Sequence, residues 1–210
     1  MYKTIIYSNK VYKSLIEKYI EENSLHYQVL NVEDAPIQEI NRLLYDAFKE
    51  RLDADINFDC ASFTDEEYRT LSADGNIITI WKENTIIGTV YLGAHLRFGN
   101  FKCGFHEYLA VKSDIKKSGI GSQMQSIVME LAKALNLDVI LSSTAMPATS
   151  SVRWHKKNGF IPYKITHYEG RNYNSYNFIK PARKSLKVRV LILISPLTLF
   201  VSKITKLYKI

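Results

Sequence analysis

The chain has 210 residues, 46% of them hydrophobic and 23% charged, which is typical of a globular protein that can bury a sizeable core. Its two cysteines, Cys60 and Cys103, need not form a disulfide framework, and their spacing is not that of a CxxC site. The whole net charge of +7 lies in residues 182–210, which hold seven basic residues and no acid, so the rest of the chain is neutral. This distribution argues against nucleic-acid binding, and the start lacks a signal peptide, so we expect a cytoplasmic protein with reduced thiols.

Hydrophobic periodicity and turn residues predict alternating strands and helices. The predicted strands are residues 2–7, 26–33, 76–81, 85–96, 103–111, 139–141, 163–168 and 173–179. The predicted helices are residues 10–22, one opened by Asp34 and Pro36, one opened by a Thr64–Glu67 capping box, 120–136, and one capped by Thr149 or Ser150. The strands between residues 76 and 111 predict an antiparallel meander, and the apolar run at 139–141 predicts a buried strand parallel to a neighbour.

The segment that carries chemical information is Lys116-Lys117-Ser118-Gly119-Ile120-Gly121, between a strand and the longest predicted helix. Two glycines spaced by one residue at a helix start let the backbone turn tightly and present N–H groups outward, beside the positive end of the helix. This arrangement suits a pyrophosphate. Taken alone the pattern is weak, because an ordinary strand-to-helix turn also uses glycine for a positive φ.

The order of these elements resembles the GNAT superfamily of N-acetyltransferases over residues 27–180. Lys116, Gly119 and Gly121 match the R/Q-x-x-G-x-G/A loop of that family, and Trp154-His155-Lys156-Lys157-Asn158-Gly159-Phe160 matches its aromatic pair before Gly-Phe. The resemblance implies an α/β fold with a mixed central sheet flanked by helices. We divide the chain into an N-terminal strand-helix extension (1–26), the N-acetyltransferase domain (27–181) and a basic, hydrophobic C-terminal extension (182–210).

The resemblance also implies acetyl-CoA as co-substrate and no metal. The loop would grip the pyrophosphate, and the strand before it would pair with the pantetheine arm. The implied cofactor-binding residues are Leu109, Val111, Lys116, Lys117, Ser118, Gly119, Ile120, Gly121 and Ser122. Lys116 departs from the family pattern, because lysine keeps the positive charge of arginine but lacks its planar fork.

Transfer to an amine needs a base that takes a proton from the substrate ammonium. Glu107 is the favoured candidate, because strand alternation places it on the same face as Leu109, where burial would raise the pKa of its carboxyl group. The alternative is a solvated or salt-bridged strand glutamate. His106 would replace Glu107 if the strand register is the other way.

The leaving thiolate needs an acid, and His155 stands where many members of the family have a tyrosine for this purpose. An imidazole can donate a proton near neutral pH, although His155 could also only cap or pack. Tyr163 and Tyr168 are fallback donors. Ser142 and Ser143 follow the buried strand and could also touch substrate or cofactor, although serine at a strand end is usually a turn former.

The tail contains an uncharged stretch, residues 190–202, which is too short to span a bilayer comfortably. Basic residues on both sides fit contact with an anionic membrane surface. Burial of residues 186–203 against another subunit explains the stretch equally well.

The sequence therefore predicts a cytoplasmic acyltransferase that moves an acetyl group from acetyl-CoA to a primary amine of a small molecule or peptide by direct attack. It predicts no nucleic-acid partner, and a peripheral location at the inner face of the membrane if the tail binds lipid. The alternatives are a non-catalytic acyl-CoA-binding module and a membrane-surface scaffold. Because the chain before residue 182 has no net charge, its charge does not indicate which amine is the acceptor.

Overall fold

One mixed eight-stranded sheet organises the chain, and a computed structural model describes it over residues 2–52 and 63–207. The strands are β1 (Tyr2–Ser8), β2 (Tyr27–Asn31), β3 (Gly75–Lys82), β4 (Thr85–Phe98), β5 (Phe101–Val111), β6 (Val139–Ala145), β7 (Ile161–His167) and β8 (Asn174–Pro181). The helices are α1 (Lys10–Glu22), α2 (Ile37–Leu52), α3 (Asp65–Ser72), α4 (Ile120–Ala134), α5 (Thr149–Lys157) and α6 (Leu186–Leu207). Cys60 and residues 208–210 lie outside the described ranges.

The strand order is β2-β1-β3-β4-β5-β6-β8-β7, in which β1 is parallel to β2 and β5 is parallel to β6, while the other neighbours are antiparallel. This confirms the predicted α/β fold with a mixed sheet flanked by helices. β1 comes from the predicted N-terminal extension, yet it lies inside the sheet between β2 and β3. The division at residues 26/27 and 181/182 stays a prediction.

Helices cover both faces of the sheet, because most strands alternate buried side chains between the two sides. On one face α1, α4 and α5 pack over a cluster that we call the α4-side core. Its fully buried members include Ile6, Ile16, Ile78, Met124, Ile127 and Phe178. On the other face α2 and α3 cover a second cluster, the α2-side core, which includes Ile40, Leu44, Tyr68 and Ile77.

Local signals account for most helix starts. The capping box of α3 is present, with Thr64 Oγ1 accepting from the Glu67 N–H at 3.2 Å and Glu67 Oε2 accepting from the Thr64 N–H at 2.8 Å. The cap expected for α5 was wrong: Thr149 is the first helical residue, and its N-cap is Ala148, whose methyl group cannot accept a hydrogen bond.

The tail folds as α6, which packs against β7 and β8. Val188, Leu191 and Ile192 cover a third cluster around Cys103 and Ile179, which we call the α6-side core. The buried Asp138 holds the start of the helix, because its carboxylate lies 2.8 Å from Lys187 Nζ and 3.7 Å from Arg183 Nε. No helix in the described ranges is long and apolar enough to cross a membrane.

Candidate active site

A cleft opens where β5 and β6 diverge. The two strands pair only from Cys103 with Val139 to His106 with Ser142, although each continues beyond that point. The space between the separated ends has a volume of about 1110 Å³. Its walls come from β5, the loop before α4, the end of β6, α5 and the turn between β7 and β8. The strand ends therefore expose backbone that a ligand can pair with.

A β-bulge interrupts β5 inside this cleft. Thr89 pairs with Ala110 and Tyr91 pairs with Glu107, so Tyr108 and Leu109 together lie opposite one residue of β4. Tyr108 has a φ of +54°, a conformation that residues other than glycine rarely adopt. The extra residue resets the alternation of side chains along the rest of the strand.

The prediction that Glu107 and Leu109 share a face was wrong, and the bulge is the reason. Leu109 packs against the α4-side core, whereas Tyr108 packs against the α2-side core. Glu107 pairs with Tyr91, a member of the α2-side core, and therefore lies on that side. His106 is on the opposite face, where its ring stacks on Trp154 with centroids 5.7 Å apart.

Glu107 has the setting of a base that works near neutral pH. Burial raises the pKa of its carboxyl group to about 7, against which a hydrogen bond with Tyr108 acts only partly. Aromatic rings surround this region: Tyr108 contacts Phe63 at 5.4 Å, and Tyr68 and Tyr91 at 6.1 Å each, between ring centroids. The pKa of Tyr91 is raised to about 12 by burial and by the charge of Glu107. The sequence-predicted carboxylate thus lies in the cleft in a low-dielectric environment.

The loop before α4 forms another wall of the cleft, and all of residues 116–122 line it. Lys117 and Gly119 adopt positive φ values of 72° and 92°, which turn the backbone sharply into the helix. Gly119 is the N-cap and has no side chain to satisfy the first N–H groups of α4. The first turn carries no acidic residue, and Lys116 and Lys117 precede it.

These features fit a pyrophosphate, which is a dianion that binds backbone N–H groups and cations. Gly121 contributes through packing: a Cβ there would lie 3.2 Å from Trp154 Nε1. Trp154 also stacks on His106, so a larger residue at 121 would displace the Trp154 ring and disturb His106 in the cleft.

His155 is buried at the inner end of the cleft. Its Nδ1 lies 2.8 Å from the Ser151 carbonyl oxygen, and its Nε2 lies 2.9 Å from Ser142 Oγ. The ring stacks on Phe178 with centroids 4.6 Å apart and an interplanar angle of 15°. His155 thus sits where the sequence motif predicted an acid, and its orientation is fixed on three sides.

The two fallback proton donors, Tyr163 and Tyr168, lie in different parts of the structure. Tyr168 lines the cleft and donates to Asn177 Oδ1 at 3.1 Å. Tyr163 instead packs in the α6-side core, where its ring contacts Phe98 and burial raises the pKa of its hydroxyl group. Cys103 belongs to the same cluster, and burial raises the pKa of its thiol.

The family model described as acetyltransferase (GNAT) family matches residues 37–160, more than half of the chain. The chain belongs to this family. A search of curated proteins finds no significant match to this GNAT chain.

Solved structures share the fold at low sequence identity. A GNAT-family protein from Desulfovibrio desulfuricans is 10% identical, with a TM-score of 0.58 over 70% of this chain and 93% of its own. Ard1 from Thermoplasma volcanium is 15% identical, with a TM-score of 0.55 over 71% and 95%. The yncA protein from Salmonella typhimurium, solved with its cofactor acetyl-CoA, is 13% identical, with a TM-score of 0.54 over 72% and 92%. These similarities confirm the GNAT fold of this chain.

The structure adds contacts that the GNAT motifs did not indicate. The Ser151 carbonyl and the Ser142 hydroxyl hold His155, and Trp154 supports both Gly121 and His106. A Ser at the end of a buried strand was the only sequence signal for Ser142. Among the described residues, no group of three or more potential metal ligands occurs.

Proposed function

We propose that this acetyltransferase uses acetyl-CoA as donor and a primary amine as acceptor, with direct attack of the amine in a ternary complex. The observation that carries the proposal is the cleft itself, which joins an anion-binding loop to a buried carboxylate at the point where two parallel strands separate. Bound acetyl-CoA would supply an activated acetyl thioester.

The residues proposed to hold the co-substrate line one side of the cleft. Lys116 and Lys117 would offset the charge of the pyrophosphate, and the backbone from Gly119 to Ser122 would donate N–H groups to it. Leu109 and Val111 would offer backbone to the pantetheine arm, because β5 has lost its β6 partner there. The bulge at Tyr108 and Leu109 directs backbone out of the β4 ladder, where an N–H group can stabilise negative charge on a carbonyl oxygen.

Glu107 is proposed to take a proton from the acceptor ammonium, because a carboxyl group with a pKa of about 7 is about half ionised at neutral pH and is a stronger base than an ordinary carboxylate. His155 is proposed as the source of the proton for the leaving group. Tyr163 is the third candidate from the sequence, and its packing under α6 gives no support to a role in the reaction. A cytoplasmic location is part of this proposal.

The test is a screen of amines with the purified full-length chain and acetyl-CoA, read as free thiol released over time. Turnover with at least one primary amine, and none with matched alcohols, is expected. A thermal shift with millimolar acetyl-CoA but no turnover across the panel would support a non-catalytic acyl-CoA-binding module instead. No shift at all would contradict the assignment of the donor.

A second function is favoured by the outer face of α6. It carries a set of large, exposed apolar side chains, namely Leu186, Val190, Leu193, Ile194, Leu197, Phe200, Val201 and Ile204. On a helix these positions share one side, opposite Val188 and Ser195, which are buried against the domain. Exposed Lys184, Arg189 and Lys203 flank them. We propose that this face, the α6 outer face, lies on an anionic membrane surface, with a second copy of the chain as the competing occupant.

A further inference from the structure

The charged side chains of the cleft are divided between its walls. The loop before α4 contributes two lysines, and α5 contributes Arg153 and Lys157. Neither of these two walls carries an acidic residue, since residues 115–122 and α5 contain none. The carboxylates in the described lining, Glu107 and Glu169, come from β5 and from the turn between β7 and β8. The walls formed by the loop and α5 together therefore attract anions more strongly than the loop alone does.

The two cations of α5 lie beside the start of α4. Arg153 and Lys157 are four residues apart, so they share one side of α5. Trp154 follows Arg153, and its Nε1 is 3.2 Å from the position that a Cβ on Gly121 would take. Both cations are exposed and line the cleft. The proposed pyrophosphate site therefore has a second pair of cations at its rim.

Interactions within the protein do not explain this second pair. The ion pairs between described residues involve neither Arg153 nor Lys157. A cation in the last turn of a helix interacts favourably with the helix dipole, and Lys157 is in that turn. However, Lys156 occupies the same turn, and Arg153 precedes it. The pair at the rim is thus available to an anionic ligand.

The donor carries a third phosphate for which the loop before α4 does not account. The pyrophosphate diester of acetyl-CoA has two negative charges, which Lys116 and Lys117 can offset together with the N-terminus of α4. Acetyl-CoA also has a phosphate monoester on the 3′ oxygen of its ribose, with about −1.5 to −2 of further charge at neutral pH. This group is joined to the pyrophosphate on the side away from the thioester. A subsite for it would therefore lie outside the place where acyl transfer occurs.

We propose that Arg153 and Lys157 form a subsite for the 3′-phosphate of acetyl-CoA. The guanidinium group of Arg153 can donate two N–H groups to phosphate oxygens, and the ammonium group of Lys157 adds a second positive charge. The subsite makes the protein select CoA thioesters over thioesters of dephospho-CoA. This inference rests on the proposed function only for the place of acetyl-CoA in the cleft, and it is independent of the acceptor.

The experiment compares two ligands that differ only by this phosphate, CoA and dephospho-CoA. Isothermal titration calorimetry gives the Kd of each ligand for the full-length wild type and for Arg153→Gln/Lys157→Gln. The control is Lys156→Gln/Lys10→Gln, which removes the same charge from exposed positions outside the described lining of the cleft. Lys156 is also in the last turn of α5, so this control includes any effect on the helix end. All four positions are exposed, so the thermal midpoint without ligand should stay close to that of the wild type.

The wild type should bind CoA about tenfold more tightly than dephospho-CoA, because the 3′-phosphate adds charge-assisted hydrogen bonds to two cations. Arg153→Gln/Lys157→Gln should remove this difference, so its Kd for CoA rises by about tenfold while its Kd for dephospho-CoA changes by less than about threefold. The control variant should keep the difference that the wild type shows. Added salt should reduce the difference in the wild type, because both cations are exposed.

Three results overturn the subsite. The first is equal affinity of the wild type for CoA and dephospho-CoA. The second is an equal loss of affinity for both ligands in Arg153→Gln/Lys157→Gln, which would mean that the pair acts on the pyrophosphate. The third is loss of the difference in the control variant, which would show that the overall surface charge is the cause. If the wild type binds neither ligand, the donor site of the proposed function is wrong, and the subsite is wrong with it.

Discussion

Glu107 shows at the scale of one side chain how burial is linked to chemistry. Glu107→Gln keeps the size of the residue but removes the base, so turnover should fall by about tenfold to a thousandfold. In the wild type, turnover should rise with pH through about 7, because the carboxyl group must lose its proton before it can accept one. The exposed Glu22→Gln is the matched control. If turnover does not change between pH 5 and 8, Glu107 is not the base.

When it is ionised, the same carboxyl group should make the folded protein less stable. Burial raises the pKa of this carboxyl group from 4.5 to about 7, so the folded state holds the proton more tightly than the unfolded state does. The free energy of unfolding is therefore highest below pH 4.5, where the group is protonated in both states, and it falls as pH rises through 7. Glu107→Gln should therefore raise the thermal midpoint at pH 8, at about 2–4 °C per kcal/mol for a chain of this size, and change it little at pH 4.5. Calorimetry at both values tests this. An equal shift at the two pH values would mean that charge is not the cause.

Residue identity in the site was largely predictable, but residue orientation was not. Sequence motifs placed Lys116, Gly119 and His155 in the cleft, because each occupies a fixed distance along the chain from a glycine or a helix end. The prediction of the strand face that carries Glu107 was wrong, because a one-residue bulge resets the alternation of side chains. The sequence does not indicate this bulge, since the residue with the positive φ is an ordinary tyrosine, Tyr108. Tyr163 has a side chain capable of donating, but tertiary packing buries it elsewhere.

The loop before α4 is the element on which donor binding depends. Gly119 has a φ of +92°, and a Cβ added there would meet no atom within 4 Å, so substitution acts through backbone strain alone. Gly119→Ala should weaken the acetyl-CoA thermal shift, since alanine pays about 1–2 kcal/mol for a left-handed conformation. Gly119→Asn should keep more of the shift, because asparagine tolerates that conformation better. Equal shifts in both variants, measured by thermal melting over a range of acetyl-CoA, would show that the turn does not matter.

Elements were easier to predict than the way they pack. The helix and strand periods of the sequence identified every strand of the sheet and the stripe of α4, because half-buried elements repeat their apolar residues. The place of β1 inside the sheet depends on pairing with β2 and β3, which are separated along the chain. Such pairing is a property of the assembled sheet, so a pattern within β1 cannot reveal it.

At the scale of the whole molecule, α6 is both part of the core and a surface. Its inner side closes the α6-side core and is held by Asp138, so cutting the chain after Lys180 would remove Val188 and expose buried residues such as Cys103 and Ile179. The sequence could not separate the two roles, because residues 190–194 are apolar on every side of the helix. Substitutions on the α6 outer face therefore test its function more cleanly than truncation does.

Leu193 is 78% exposed and Phe200 is 60% exposed on the α6 outer face. Replacing both with serine should lower binding to anionic phospholipid vesicles by at least about tenfold, because each large side chain contributes about 1.5–3 kcal/mol when it leaves water. The control replaces Val11 and Leu15 of α1, which are 72% and 52% exposed, with serine. Wild-type binding, measured by co-sedimentation, should also weaken as salt rises, because the flanking cations are screened. If vesicle binding is absent throughout and the double variant instead changes the mass in sedimentation analysis, the face joins two copies of the chain and the membrane proposal is wrong.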